Sequence, residues 1–459
     1  MSEAIAAQQP IIANSSLAAR LGAEIASTTR GRPEAKATAK LRLCLMDFLG
    51  CAFESASLPW ARQAAALATP GSGPCTIVGT PARVAAPDAA FANAAAGHGL
   101  VREDMHTGSV SHLGVVVLPA LLALAQERKV DGPTFAAAAI AGYEVGARIG
   151  RALVTSDFAR KFRPTGFTGP LASAAACSRL LGLNVQETTN ALSLAANMTG
   201  GLNQWPATGA DDMFFHPAAA TRSGMVAAKL AALGAYGSPG ALDGEAGLLP
   251  NYRRDGTAPP IALFDGEPEI LSVFFKPVPV CNFAQTPCLA ALKIAPMIQD
   301  PRAIRSVDVA VTRAAQLYPG CDHAGPFERV LQAKMSIQYA VASALVRGQI
   351  DEGSYRSLDD VRLLDISAKI RLRADDELTA AYPARQGSRV TVTLSNGRTL
   401  TEELADVIAA DEDLVRRRFR NAAEAAVGKD QAGRLFAAVE GFLDSDDLGA
   451  LMALSAAKG

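Results

Sequence analysis

At 459 residues the chain exceeds one ordinary domain, and two or three are expected. Hydrophobic residues supply 49%, charged residues 19% and aromatic residues 6%, which excludes a disordered chain and indicates a large core of small aliphatic side chains. The formal charge is −1, from 44 basic and 45 acidic residues, with no basic stripe or aromatic-basic interleaving, so nucleic acid is not an expected partner.

The opening stretch, Met1 to Pro10, lacks the charged start and apolar middle of a signal peptide. Helices then follow one another from about Ser15 to Gly247. Leu17, Leu21 and Ile25 mark one face of the first, and Lys40 to Phe53 reads as a buried helix with Asp47 as its one interior charge. Ala89 to Leu100, Val115 to Gln126, Thr134 to Val154, Gly169 to Leu181 and Ala218 to Leu233 continue the series, with Thr134 as an N-cap and Gly182 as a stop signal. Gly142, Gly146 and Gly150 permit close backbone approach within this core. The most apolar run, Leu113 to Ala125, falls well short of the roughly 20 residues of a membrane span.

Near residue 250 the composition shifts. Pro250 to Pro268 reads as a linker, and strand-like alternation then appears at Ile304 to Thr312, Ala368 to Leu372 and Arg389 to Leu394. The last run leads through Ser395-Asn396-Gly397-Arg398, a hairpin turn signal, into a returning strand at Thr399 to Glu402, while Val330 to Arg347 reads as helix. The chain is helical again from Ala405. The organisation is therefore a helical part over 1–266, an α+β part over 267–400 and a helical return over 401–459. The seven cysteines (Cys44, Cys51, Cys75, Cys177, Cys281, Cys288 and Cys321) form no CxxC pair, which suits a reduced cytoplasm with most of them buried as small hydrophobes.

Chemistry concentrates in four blocks. The first, from Gly97 to Gly114, holds His98, His106, His112, Arg102, Glu103, Asp104, Ser109 and Ser111 between two apolar helices. Titratable groups at the lip of a hydrophobic scaffold suit acid–base work, and the same composition suits a solvated, capping loop. The histidine spacings match no usual zinc pair, so no metal is expected. The second block runs Arg160-Lys161-Phe162-Arg163-Pro164-Thr165-Gly166, cations before a helix start that suit a carboxylate or phosphate, or simply cap the helix. The third is Asp211 to Pro217 with His216. The fourth, Phe275 to Gln285, sets a lone Lys276 among apolar residues and two prolines, where desolvation suits it to proton transfer or to pairing with a carboxylate. Its aliphatic stem could equally cover a core edge.

In this order and spacing the blocks resemble the MmgE/PrpD family, which includes 2-methylcitrate dehydratase, cis-aconitate decarboxylase and iminodisuccinate epimerase. The family's AHALDFDDTH and HPG are matched by Gly97 to His106 and His112-Leu113-Gly114. Its GFHPTGTAG is matched by Lys161 to Gly169, its KxLHPGxAA around His216-Pro217, and its KxYPxC by Lys276 to Cys281. Leu45 to Gly50 and Ala333 to Tyr339 agree as well. The resemblance implies a mainly α fold, with a large all-helical domain formed by both chain ends and an inserted smaller α+β lid. It implies homodimers, no metal or organic cofactor, and a small di- or tricarboxylate substrate.

Several positions depart from the pattern. Arg163 replaces the histidine of FHPT, Met213 replaces a lysine, Val101 replaces the first acid of DFDD, and Ala284-Gln285 replaces a threonine-histidine pair. The resemblance implies proton removal α to a carboxylate, with the developing charge met by fixed donors. Asp104, His106 and Lys276 are the catalytic candidates, and Arg163, His112, Thr165, His216 and Gln285 the substrate-binding ones. A dehydratase is the expected activity. Epimerase, decarboxylase and non-catalytic binder are the alternatives.

Overall fold

The computed structural model describes residues 16–27, 33–253 and 259–457. Its body is a stack of helices. Gly132–Leu153 packs on Pro164–Leu181, which in turn packs on Asp212–Ala232. Asp212–Ala232 also meets Ala86–His98, and Ala35–Ser55 lies against the carboxy-terminal helix Glu412–Val427. The two ends of the chain thus build one helical body. Small residues make this tight stacking possible. A Cβ on Gly146 would stand 2.6 Å from Leu113 Cδ2 and 2.9 Å from the Ala172 Cβ, so only glycine lets these backbones approach.

Several helices start earlier than the sequence reading placed them, among them Asp212–Ala232, read from Ala218, and two starts have a clear local cause. Asp131, not Thr134, caps Gly132–Leu153, its carboxylate accepting the Thr134 N–H at 2.7 Å. The helix read as beginning at Gly169 begins at Pro164, where a proline at the first turn lacks only an N–H that would be unpaired anyway. Pro170 then removes one internal bond, and the freed Gly166 carbonyl accepts the Gly200 N–H at 3.1 Å instead. Gly182 ends this helix in the left-handed conformation, φ 70°, as its position implied.

The α+β part is a four-stranded sheet in the order 370–374, 304–311, 388–394, 399–404. The first pair is parallel and the other two are antiparallel. Gln285–Ile294 covers one end of the sheet and packs on Ile337–Arg347. The single helix read over Val330 to Arg347 is broken. Ser336 takes extended backbone and caps a new helix by accepting the Tyr339 N–H at 2.9 Å.

The stretch read as a linker is pinned where it is described. Leu263 N donates to Glu24 at 2.7 Å, and Phe264 N to Glu144 at 2.8 Å; residues 254–258 lie outside the described residues. Val273–Phe274 pairs with Met105–His106, so the start of the α+β part is stitched to the first polar block. No helix among the described residues is long and apolar enough to cross a membrane.

Candidate functional site

Ala86–His98 points its carboxyl end at the contact between the helical body and the sheet part. Just past it, the Leu100 carbonyl accepts from Lys334 Nζ at 3.1 Å and the Val101 carbonyl from Lys276 Nζ at 3.0 Å. Two fully buried lysines thereby satisfy buried carbonyls of the turn that follows the helix. Val101 and Val110, both β-branched, sit at φ 59° and 51°, in the left-handed region. Backbone held there costs about 1–3 kcal/mol per residue, and both strained residues line the same small cavity.

That cavity brings together His112, Arg163, Lys276, Cys281, Tyr318 and Met213, drawn from both parts of the chain. Its volume is about 20 Å³, room for a single water. The polar side is organised by Glu103. Its carboxylate oxygen Oε1 contacts His98 Nδ1 and lies 2.7 Å from His112 Nδ1. Burial opposes ionisation of Glu103, but the two imidazoles outweigh it and hold the carboxyl well below its ordinary range. Burial in turn keeps both rings neutral, taking His112 down to about 3 with help from the Lys276 charge, and moving His98 the same way. A neutral ring that donates Nδ1–H to a carboxylate carries its lone pair on Nε2. In His98 that nitrogen accepts from Arg163 at 3.2 Å, while His112 Nε2 is left as a base.

Arg163 precedes the first residue of Pro164–Leu181, where the helix N-terminus adds positive potential. It also reaches the Tyr318 hydroxyl at 3.4 Å. The Lys276 amine is pushed down by burial, against the attraction of Glu103. The Cys281 thiol is drawn down to about 7, first by its contact with Cys321, 3.8 Å away, and then by the Lys276 charge, against burial. The apolar side chains of Met105, Met213, Met335 and Phe283 also line the cavity.

Several expected site residues lie elsewhere. Asp104 is buried behind the cavity, accepting from Tyr143 at 2.7 Å and from the Gly114 N–H at 3.0 Å. Burial raises its carboxyl to about 6 despite those donors. His106 turns the other way, to Glu269 at 3.0 Å and Ser109 at 2.8 Å, because its strand pairs with Val273–Phe274. Gln285 Nε2 donates to the Val278 and Val280 carbonyls, both at 2.9 Å, and so shapes the loop that carries Lys276 and Cys281 without facing the cavity. Thr165 accepts the His112 N–H at 3.2 Å and acts on that ring only through the backbone. His216 is half-buried near Arg163 but does not line the cavity.

His112, Arg163 and Lys276 are thus brought together as expected, and Asp104, His106, Gln285, Thr165 and His216 are not part of the lining. Cys281, Tyr318 and the roles of Glu103 and His98 escaped sequence reasoning. Glu103 and His98 sat in plain view in the first block, but nothing local to Tyr318 marks it. Spacing also concealed that donor atoms of His98, Glu103 and His112 lie within 4.8 Å of one another. Both rings are already turned onto one carboxylate oxygen, so a cation held by all three would have to displace both contacts. The donor set fits a proton relay better than a metal centre.

Comparison with known proteins gives matches along most of the chain. The MmgE/PrpD N-terminal domain matches residues 19–258 and the MmgE/PrpD C-terminal domain residues 278–441. A cis-aconitate decarboxylase-like protein, oryM, of Aspergillus oryzae is 26% identical over 447 residues, covering 89% of this chain and 91% of that protein. Cis-aconitate decarboxylase of Aspergillus terreus is 25% identical over 409 residues, 83% of each chain. The human cis-aconitate decarboxylase is 27% identical over 383 residues, covering 80% of this chain and 78% of that one.

Proposed function

Because the chain belongs to the MmgE/PrpD family, we propose that it is a lyase that generates and protonates a carbanion next to a carboxylate of a small di- or tricarboxylic acid. One observation carries the reading. A neutral His112, oriented through Nδ1 by the Glu103 carboxylate, borders the same cavity as Arg163, Lys276 and Cys281. Arg163 and Lys276 hold the substrate carboxylates and meet the charge of the enediolate, where fixed donors in a dry site act most strongly. A bound polyanion also raises the proton affinity of His112, which burial, helped by the Lys276 charge, otherwise holds low.

Two routes reach that intermediate. In a decarboxylation the bond to one carboxylate breaks, CO₂ leaves, the electron pair spreads into the neighbouring carboxylate, and the Cys281 thiol or His112 imidazolium delivers a proton to carbon. In a dehydration His112 takes the proton from carbon, and the β-hydroxyl leaves as water with a proton from Cys281. The thioether and phenyl side chains of Met105, Met213, Met335 and Phe283 favour a step that turns a compact carboxylate charge into neutral CO₂ and a delocalised enediolate, and the relatives at 25–27% identity carry decarboxylase names. Decarboxylation is therefore placed first, ahead of the dehydration expected from sequence. An epimerase is the second reading, favoured by two proton-transfer groups, His112 and Cys281, on one cavity. The homodimer implied by the family resemblance is carried as a proposal, checked by analytical ultracentrifugation.

The test is proton NMR in deuterium oxide with cis-aconitate, citrate, methylcitrate and iminodisuccinate. Loss of CO₂ with deuterium at the adjacent carbon supports decarboxylation, and an alkene growing from a hydroxy acid supports dehydration. Exchange with inversion and no alkene supports the epimerase instead. If the folded protein neither exchanges nor converts any polycarboxylate, the reading fails.

A further inference from the structure

The second block of cations is only half used by the inner cavity. Arg163 borders it, and Lys161 pairs in the open with Asp157 at 2.8 Å. Arg160 faces a different space, a pocket of about 460 Å³ between the helical body and the sheet part. Four arginines line it: Arg151, Arg160 and Arg253 from the body, and Arg313 from the sheet part. Among the described residues of its lining none is acidic.

The arginines are held in different ways. Arg151 is braced from behind by Glu269 at 3.0 Å yet keeps its side chain 42% exposed. Arg253 is fixed through the Ala152 carbonyl. The guanidinium of Arg313 makes a long contact, 3.8 Å, to an almost fully exposed Asp376. Arg160 has no ion-pair partner among the described residues. Val110, Phe283 and Tyr318 belong to the walls of both this pocket and the inner cavity, so one thin partition separates them. The outer space is large enough for a tricarboxylate and the inner one, at about 20 Å³, is not.

We infer that the arginine-lined pocket is a capture site for small polycarboxylates, which hold there before the Val110–Phe283–Tyr318 partition admits them to the inner cavity. The inference rests on the proposed function for its ligand class. Guanidinium groups in a concave space whose lining has no acidic side chain concentrate anions and bind carboxylates through paired N–H donors. Because the pocket has walls from both parts of the chain, a bound polyanion also bridges them.

The test uses equilibrium binding of propane-1,2,3-tricarboxylate, a saturated acid with neither hydroxyl nor double bond to react, by calorimetry at low salt. The full chain is compared with the double variant Arg160→Gln/Arg313→Gln, both exposed positions, and with Arg163→Gln in the inner cavity. The double variant is expected to bind at least tenfold more weakly and with a shallower salt dependence. Arg163→Gln is expected to keep the binding. Equal affinity in the double variant and the parent overturns the inference, as does loss of binding in Arg163→Gln alone or no binding by the parent. The two readings separate cleanly. Arginine-dependent binding without turnover of any polycarboxylate sinks the proposed function and leaves the capture site standing. Turnover whose kcat/KM is unchanged in the double variant does the reverse.

Discussion

Glu103 is the residue on which the site's protonation pattern turns. One carboxylate oxygen serves two imidazoles, and an amide in its place offers an uncharged, weaker acceptor and a competing N–H donor. Glu103→Gln should therefore let the His98 and His112 tautomers scramble while leaving Arg163 and Lys276 to bind substrate. We expect kcat to fall about 10²–10⁴-fold with KM changed little, the range for losing an oriented acid–base group. Steady-state kinetics on the acid found by NMR checks this. A rise in KM at unchanged kcat would instead assign Glu103 to binding. Asp104, the next residue, faces away from both rings, its carboxylate occupied by Tyr143 and the Gly114 N–H.

At the scale of elements, two helix features have measurable consequences. Gly114 begins the helix that runs to Glu127, and a Cβ there would stand 2.7 Å from Asp104 Oδ1. Gly114→Ala should force the buried carboxylate off its donors, at a cost of about 1–3 kcal/mol for overpacking, read from urea unfolding. The second feature is Asp47 inside Ala35–Ser55. Burial, with the Asp104 charge adding to it, raises this carboxyl from 3.8 to about 8. The folded protein therefore keeps a proton that the unfolded chain loses near pH 4. Its contribution to stability is complete below that pH and is lost as pH rises through about 8. Asp47→Asn, neutral at every pH, should remove this loss. Its urea midpoint should exceed the parent's by a margin that grows from pH 5 to pH 9, and a constant margin would refute the assignment.

For the molecule as a whole, the proposed function raises the question of how a di- or tricarboxylate would reach a space of about 20 Å³. The cavity is closed by the loop bearing Lys276 and Cys281 and by Tyr318, all on the sheet side or its hinge, against His112 and Arg163 on the helical body. Admission requires these walls to part, as lid motions do in many enzymes. Hydrogen–deuterium exchange should fall in segments 276–284 and 313–321 when propane-1,2,3-tricarboxylate binds, while the buried helix Gly132–Leu153 is unaffected. Unchanged exchange in both segments under saturating ligand would mean that the walls do not move.

Local physics made much of this legible from sequence. Apolar spacing marked the helices, Gly182 and the Asn396-Gly397 turn marked stops, and alternation marked the strands of the sheet, because each depends on residues a few positions apart. The four polar blocks, their family resemblance and the cationic character of Arg163 and Lys276 were readable for the same reason. Which of their side chains face one cavity was not. His106 and Asp104 sit beside Glu103 in the chain, yet strand pairing with Val273–Phe274 turns His106 out and Tyr143 holds Asp104 back. Cys281 gains its acidity from Cys321, 40 residues away, and from Lys276. Burial and distant partners set orientation and ionisation, and those exist only once the helical body and the sheet part have packed together.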